Sequence, residues 1–352
     1  MKKMRIVPLI AIITVTIAAI VICTIILTFK GNWVEKSVKI SIVGDVLLDR
    51  GVKEKIHTNK DDYDYPYGGV NEILKDSDLT IGNLEGPITI QDTPVLKKGN
   101  LIFKGSPSNV SALYNAGFRV FNLANNHSMD YGTKGMSETI ALLNKSGINT
   151  LGGGFNKEAA EKPIYMDMKG TKVGLLGFST FPPEGYFVFE DRPDVAHLEE
   201  DRLKEIIKAA KENCDLLIVM FHWGEEFNYY AGKQQKMVAH LACDSGADIV
   251  IGHHPHVLQG IEKFKGKYIF YSLGNFVFDK QIPSGTDETG ILQLLIVKNK
   301  IQKISILPIK ITNCRPRTCS SEEAKHIYNR LTLYSKDMGA TIEDKETELI
   351  IK

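Results

Sequence analysis

A chain of 352 residues is long enough for one large domain or two ordinary ones with a well-buried core. Its 43 basic and 42 acidic side chains leave a formal charge of +1, so a basic footprint for nucleic acid is missing. The composition is otherwise that of an ordinary globular protein.

From Ile6 to Phe29 no charged residue appears. At about 1.5 Å per residue that run is long enough, as a helix, to cross a hydrocarbon core. Lys2, Lys3 and Arg5 precede it, which predicts residues 1–5 in the cytoplasm, a single-pass anchor over 6–29 in the cell membrane and the remainder outside the cell. A cleavable signal peptide is the competing reading. The apolar run exceeds a typical signal core and no A-x-A-like site follows before Lys30, which favours the uncleaved anchor.

After a linker over residues 30–37, Val38 to Asp45 alternates and then stops at Gly-Asp, as a strand ending on a carboxylate does. Asp61 to Gly69 reads as a surface loop. Ser77 to Pro87 repeats the first pattern, a short apolar strand closed by Glu85 between glycine and proline. A helix over Ser108 to Ala116 and a strand over Phe118 to Leu123 lead into Asn125, Asn126, His127 and Asp130. The two asparagines could instead cap the helix predicted over Thr133 to Ser146, which leaves His127 unexplained. Gly152 to Gly154 reads as a turn, because no Lys-Ser/Thr follows to make it a phosphate loop.

A strand over Lys172 to Phe178 and a helix from about His197 to Lys211 precede Asp215 to Phe221, a continuous apolar run that reads as a buried strand and ends on His222. Ala231 to Ser245 is an amphipathic helix whose His240 reads as a packing or surface residue. Ile249 to Gly252 is again β-branched and apolar and delivers His253, His254, Pro255 and His256 into a turn. Proline fixes φ and lacks an N–H, so the strand stops there and both flanking imidazoles can be aimed inward. Lys267 to Phe278 is a strand broken at Gly274-Asn275; Thr289 to Val297 and Lys303 to Ile311 alternate as further strands. Ser320 and Glu323 form a capping box that opens an amphipathic helix to about Met338. Cys214 and Cys243 border apolar segments and read as core thiols. Cys314 and Cys319, on either side of Arg-Pro-Arg-Thr, are candidates for a disulfide closing a small surface loop.

Strand ends thus yield Asp45, Glu85, Asn126 with His127, His222, and His254 with His256. Carboxylate, amide oxygen and imidazole together suit divalent ions such as Mn, Zn or Fe. One or two such ions would generate a hydroxide nucleophile and clamp a tetrahedral centre.

Gly44-Asp45, Asn83-Leu84-Glu85, Leu123-Ala124-Asn125-Asn126-His127 with Asp130-Tyr131-Gly132, His222-Trp223-Gly224, His254-Pro255-His256-Val257 and Tyr271 to Phe276 resemble, in order and spacing, the CapA family of capsule and poly-γ-glutamate biosynthesis proteins. The resemblance spans roughly Lys39 to Ile311. It implies an α/β fold, the two-sheet sandwich of calcineurin-like metallophosphoesterases, as a domain over 38–312, with the membrane anchor before it and a helical tail over 313–352. It also implies Glu85 as bridging metal ligand, Asn126, His222 and His254 as ligands of one metal, Asp45 and His256 as ligands of the other, and His127 as the catalytic acid. The chain departs from the superfamily at Val46-Leu47, where an Asp-x-His motif would place an imidazole, with Asp49 a candidate replacement.

The implied function is a membrane-anchored component of anionic-polymer assembly, acting as a metal-dependent hydrolase. The alternatives are a non-enzymatic, metal-stabilised scaffold for synthase or export subunits and a cell-surface phosphatase unrelated to capsule. Expected partners are the membrane, an anionic polymer such as poly-γ-glutamate and other subunits of a polymer synthase. Lys97, Lys98 and Lys104 are candidate polymer contacts, with a solvated loop as the alternative.

Overall fold

Alternating and continuous apolar runs become strands throughout. A computed structural model of the chain describes residues 37–97, 101–279 and 282–352. The strands, in chain order, are β1 Ser37–Val46, β2 Leu79–Leu84, β3 Phe118–Asn122, β4 Asn149–Leu151, β5 Gly153–Gly154, β6 Ile164–Met168, β7 Thr171–Ser179, β8 Asp194–Val195, β9 Leu216–His222, β10 Ile249–His253, β11 Ile261–Phe264, β12 Lys267–Phe270, β13 Asn275–Val277, β14 Glu288–Val297, β15 Lys300–Thr312, β16 Arg315–Thr318, β17 Ile342–Asp344 and β18 Leu349–Ile351.

One sheet runs β17-β18-β15-β14-β1-β2-β3-β4, with β13 beside β1 and β16 beside β15; the second runs β11-β12-β10-β9-β7-β6. In the first, β1 to β4 are parallel and the β14–β18 side is antiparallel. In the second, β7, β9, β10 and β12 are parallel. Parallel neighbours need crossovers; helices supply them between β1, β2, β3 and β4 and between β7, β9 and β10, while β11 and its loop connect β10 to β12. Val38, Ile40 and Ile42 of β1 share one apolar cluster with Leu175 of β7, Ile218 and Met220 of β9 and Ile251 of β10, so the sheets meet face to face. Val43 and Val46 point the other way, onto Val52, Leu113 and Ile140 of the helices Arg50–Thr58, Asn109–Ala116 and Gly132–Lys145. Across the sandwich, Leu217, Val219 and Val250 pack under Leu203, Ile207 and Val238 of the helices Glu200–Lys211 and Lys233–Ser245. Each fully buried aliphatic side chain contributes about 1.5–3 kcal/mol. The expected two-sheet α/β architecture is therefore present.

Several readings change. The single-pass membrane placement, with the N-terminus in the cytoplasm and the domain outside the cell, is corrected: no helix among the described residues is long and apolar enough to cross a membrane. The longest of them, Gly132–Lys145 and Ser321–Tyr334, have 14 residues, against the about 20 a span needs. The run Ile6 to Phe29 that carried the reading lies outside the described residues. The break at Gly274-Asn275 is where the chain leaves the second sheet at β12 and enters the first at β13. Gly153 and Gly154 form not a turn but a short ribbon with Asp194 and Val195. The tail is more than a helix: Ile327 and Leu331 enter the inter-sheet cluster, and β18 pairs with β15. Cys314 and Cys319 are both free. The strand Arg315–Thr318 separates them by on the order of 15 Å, beyond the about 7 Å a disulfide spans.

Candidate metal centre

The functional side chains gather where strands of both sheets end. β1 shifts register around Asp45, and such a bulge re-aims a side chain. Asp45 is fully buried; its Oδ1 accepts from Asn83 Nδ2 at 2.9 Å and its Oδ2 from the His254 N–H at 3.3 Å. Glu85 follows β2 and is equally enclosed. Its Oε1 lies 3.7 Å from His256 Nε2, while its Oε2 is buried without a partner.

The turn after β10 is strained in the direction the site requires. His254 and His256 adopt φ of 97° and 59° on either side of Pro255, a left-handed conformation that non-glycine residues rarely hold. His256 Nδ1 meets Asn275 Oδ1 at 2.9 Å and lies 3.6 Å from Asp45 Oδ2. His254 Nδ1 lies 3.2 Å from His222 Nε2, which is 2.9 Å from Asn126 Oδ1. All six expected ligands are thereby brought together. Asp45, Glu85 and His256 offer donor atoms within 4.8 Å of one another, and so do Glu226, His254 and His256.

His127 stands at the mouth of this cluster. Its Nδ1 pairs with Asp130 Oδ2 at 2.9 Å, leaving Nε2 as the nitrogen free to act, and its ring lies 4.0 Å from that of Phe103. Asp130 is itself fixed by the Phe103 N–H at 2.7 Å and by Lys97 Nζ at 2.5 Å. Lys97 is thus neither solvated nor presented to a polymer: it is 3% exposed and also donates to the Asn126 carbonyl. Lys104 is tied to Asp92 and the Gln91 carbonyl, and Lys98 lies outside the described residues.

Burial acts in opposite directions on the two donor types. It pushes the Asp45 carboxyl up to about 7, partly offset by the His254 N–H and the Asn83 amide. Glu85 is raised well above the carboxylate range by burial and then by the nearby Asp45 and Glu226 charges. His256 is pushed down to about 4, and His222 and His254 fall well below the imidazole range, by burial first and neighbouring histidines second. His127 is lowered by burial, with the Asp130 hydrogen bond opposing. Among the described residues no lysine or arginine pairs with Asp45 or Glu85. Neutral imidazoles, two enclosed acids and an orphaned carboxylate oxygen are the donor set of a divalent cation, and the residues fit one.

Other assignments shift. Asn125 and Asn126 do not cap a helix, because the next one begins at Gly132. Asn125 instead ties its loop to the Leu84 carbonyl at 2.8 Å. His253 is a packing residue, 3.1 Å from the Val43 carbonyl. His240 packs as expected, stacked on Phe264 and 2.9 Å from Glu262. Asp49 does not replace the missing imidazole: its carboxylate accepts the Lys104 N–H at 2.8 Å, and Leu47 is buried against Phe103 and Phe278. The sequence reading missed Glu226, and it gave Asn83 and Asn275, which orient Asp45 and His256, no role.

Residues 39–280 match the family described as bacterial capsule synthesis protein PGA_cap. A capsule biosynthesis protein CapA from Bacillus anthracis is 35% identical over 319 residues, 89% of this chain and 77% of that protein. A PGA biosynthesis protein CapA from Bacillus subtilis (strain 168) is 33% identical over 286 residues, 81% and 74% of the two chains. Among solved structures, a 5'-nucleotidase from Candida albicans is similar at a TM-score of 0.43 and 12% identity over 87% of this chain, which spans about half (55%) of that protein.

Proposed function

The chain belongs to the bacterial capsule synthesis family, and from that membership we propose that it is a metal-dependent hydrolase of poly-γ-glutamate or capsule assembly, with calcineurin-like metallophosphoesterase chemistry. One observation carries the reading: His127, locked by Asp130 at 2.9 Å, opens onto the same cleft as Glu85 and His256. A scaffold that only held a metal would have no use for a proton-carrying group fixed at that place.

Asp45, Glu85 and His256 would hold one ion, and Asn126, His222 and His254 would hold a second. Glu226 adds the donor that Leu47 removes from the first motif. Mn, Zn or Fe in this set would supply Lewis-acid polarisation and an activated water. The protein's own residues do the rest. Asn275 sets the His256 ring, and Asn83 and the His254 N–H hold Asp45. The packed walls of Phe103 and Phe278 restrict water. Asp130 accepts the His127 Nδ1–H and favours the imidazolium, so that Nε2, once it carries a proton taken from solvent, can pass it to the departing group.

The test is turnover by the purified chain on a generic phosphodiester and on poly-γ-glutamate, beside His127→Ala and His254→Ala. Hydrolysis that disappears in both variants, with metal retained in His127→Ala, supports the hydrolase. No hydrolysis with any divalent ion tested sinks it and leaves the metal-stabilised scaffold for synthase subunits.

A further inference from the structure

The cleft in front of His127 and His256 has a volume of about 230 Å³, and of the described residues that line it Arg50 alone is a lysine or arginine. Arg50 sits at the start of its helix with φ of 51°, a left-handed conformation unusual for a residue with a side chain. Asp279 grips it twice over: one carboxylate oxygen pairs with Nη2, and the other accepts the Gly51 N–H at 2.9 Å. The guanidinium carbon lies 4.7 Å from the Phe103 ring centre and 5.2 Å from that of Phe278. Those same rings face the reaction groups, Phe103 at 4.0 Å from the His127 ring and Phe278 at 4.9 Å from the His256 ring. Arg50 Nε is buried without a partner. A cation stacked, pinned and only partly hydrogen-bonded, beside the place where bonds would break, is built to receive an oxyanion.

We propose that Arg50 is the oxyanion anchor of this cleft, binding a carboxylate or phosphoryl group of the ligand whose neighbouring bond faces His127. The choice between the two rests on the function proposed above: in a γ-linked glutamate chain every residue keeps a free α-carboxylate, separated from the next by methylenes and an amide. The mouth of the cleft suits that alternation, because Leu101, Phe227 and Ile282 add exposed apolar surface beside the guanidinium. A simple structural ion pair with Asp279 would need neither the apolar mouth nor the position between the two rings.

The experiment is calorimetric titration of a γ-linked glutamate pentamer and, separately, of inorganic phosphate into the full chain, metal-free and metal-loaded, comparing wild type with Arg50→Met and Arg50→Lys. Metal content and melting temperature are recorded for each. The expected result is pentamer affinity weakened roughly tenfold or more in Arg50→Met and by less in Arg50→Lys, with metal content unchanged. If wild type binds phosphate but not the pentamer, and Arg50→Met loses phosphate, the anchor stands and the polymer assignment falls. Unchanged affinity in Arg50→Met, or in Arg50→Lys should the first variant not fold, overturns the anchor while leaving the hydrolase reading open. Failure of wild type to bind either probe overturns the anchor as well.

Discussion

The two sheets furnish different halves of the site. The ends of β1, β2 and β3 in the first carry Asp45, Glu85, Asn126 and His127; the ends of β9 and β10 in the second carry His222, His254 and His256. The same burial that drives the carboxylates of one side upward drives the imidazoles of the other downward. Each half alone is a desolvated polar surface whose acids, Asp45 and Glu85, pair with no lysine or arginine among the described residues, and a cation between the halves satisfies both. The difference teaches why the site lies where strand ends of both face-packed sheets converge: each sheet carries only part of the donor set.

The join between the halves is the place to break this most severely. A Cβ on Gly44 would lie 1.9 Å from the Gly274 carbonyl oxygen, where the chain passes from one sheet to the other. Gly44→Ala is expected to cost about 3 kcal/mol in denaturant unfolding and to lose metal with it. Glu85→Gln separates the halves more gently. Removing an acid that is costly to ionise should leave the metal-free melting temperature unchanged or raised, while metal affinity by calorimetry falls on the order of a hundredfold. A lower metal-free melting temperature would show that Glu85 is structurally compensated in a way the geometry does not contain.

The halves should also titrate apart. Below about pH 7 a metal must displace a proton from Asp45, and Glu85, also raised by burial, adds its own, so affinity should fall as pH drops through 7, up to about tenfold per unit for each proton displaced. His256, at about 4, stays neutral over that range and adds no slope. Without metal the sign reverses. The folded pKa of Asp45 lies above its ordinary 3.8, so its contribution to stability is complete below that value and is lost as pH rises through 7. An affinity slope centred near the histidine range instead would reassign control to the imidazoles.

Asp130→Asn leaves every proposed metal ligand in place and removes the carboxylate that holds His127, Lys97 and the Phe103 N–H; turnover should fall at least about tenfold with metal content unchanged. The smallest effect belongs to a part that touches neither half. Ser320 Oγ accepts the Glu323 N–H at 3.3 Å at the start of the helix Ser321–Tyr334, and Ser320→Ala should lower stability by about 1 kcal/mol and leave metal binding intact.

Much of this was legible because strands that pack on both faces are written as uninterrupted apolar runs, and a run that stops on Asp, Glu or His announces its end. Asp45, Glu85, His222 and the His254-Pro255-His256 turn were visible for that reason. Glu226 was not: nothing in Trp-Gly-Glu-Glu distinguishes it from Glu225, and only the folded loop shows that Glu226 lies 3.9 Å from His256. Asn83 lies inside a buried strand, where a polar residue carries no local signal of its partner 38 positions away. Arg50 likewise depends on Asp279, 229 residues distant. The short β17 and β18 lack the length for a period to show, and their place is set by pairing with β15. The Cys314–Cys319 spacing allowed a bridge in a loop, but the intervening residues are extended by pairing with β15.

The central claim is that the two halves close on a divalent cation. Its most direct test is the metal content of the chain purified without chelator, by mass spectrometry, beside His254→Ala and Glu85→Gln of confirmed fold. At least one Mn, Zn or Fe per wild-type chain, lost or sharply reduced in both variants, is the predicted result. A wild-type chain that takes up none of these ions even when they are supplied in excess would contradict it.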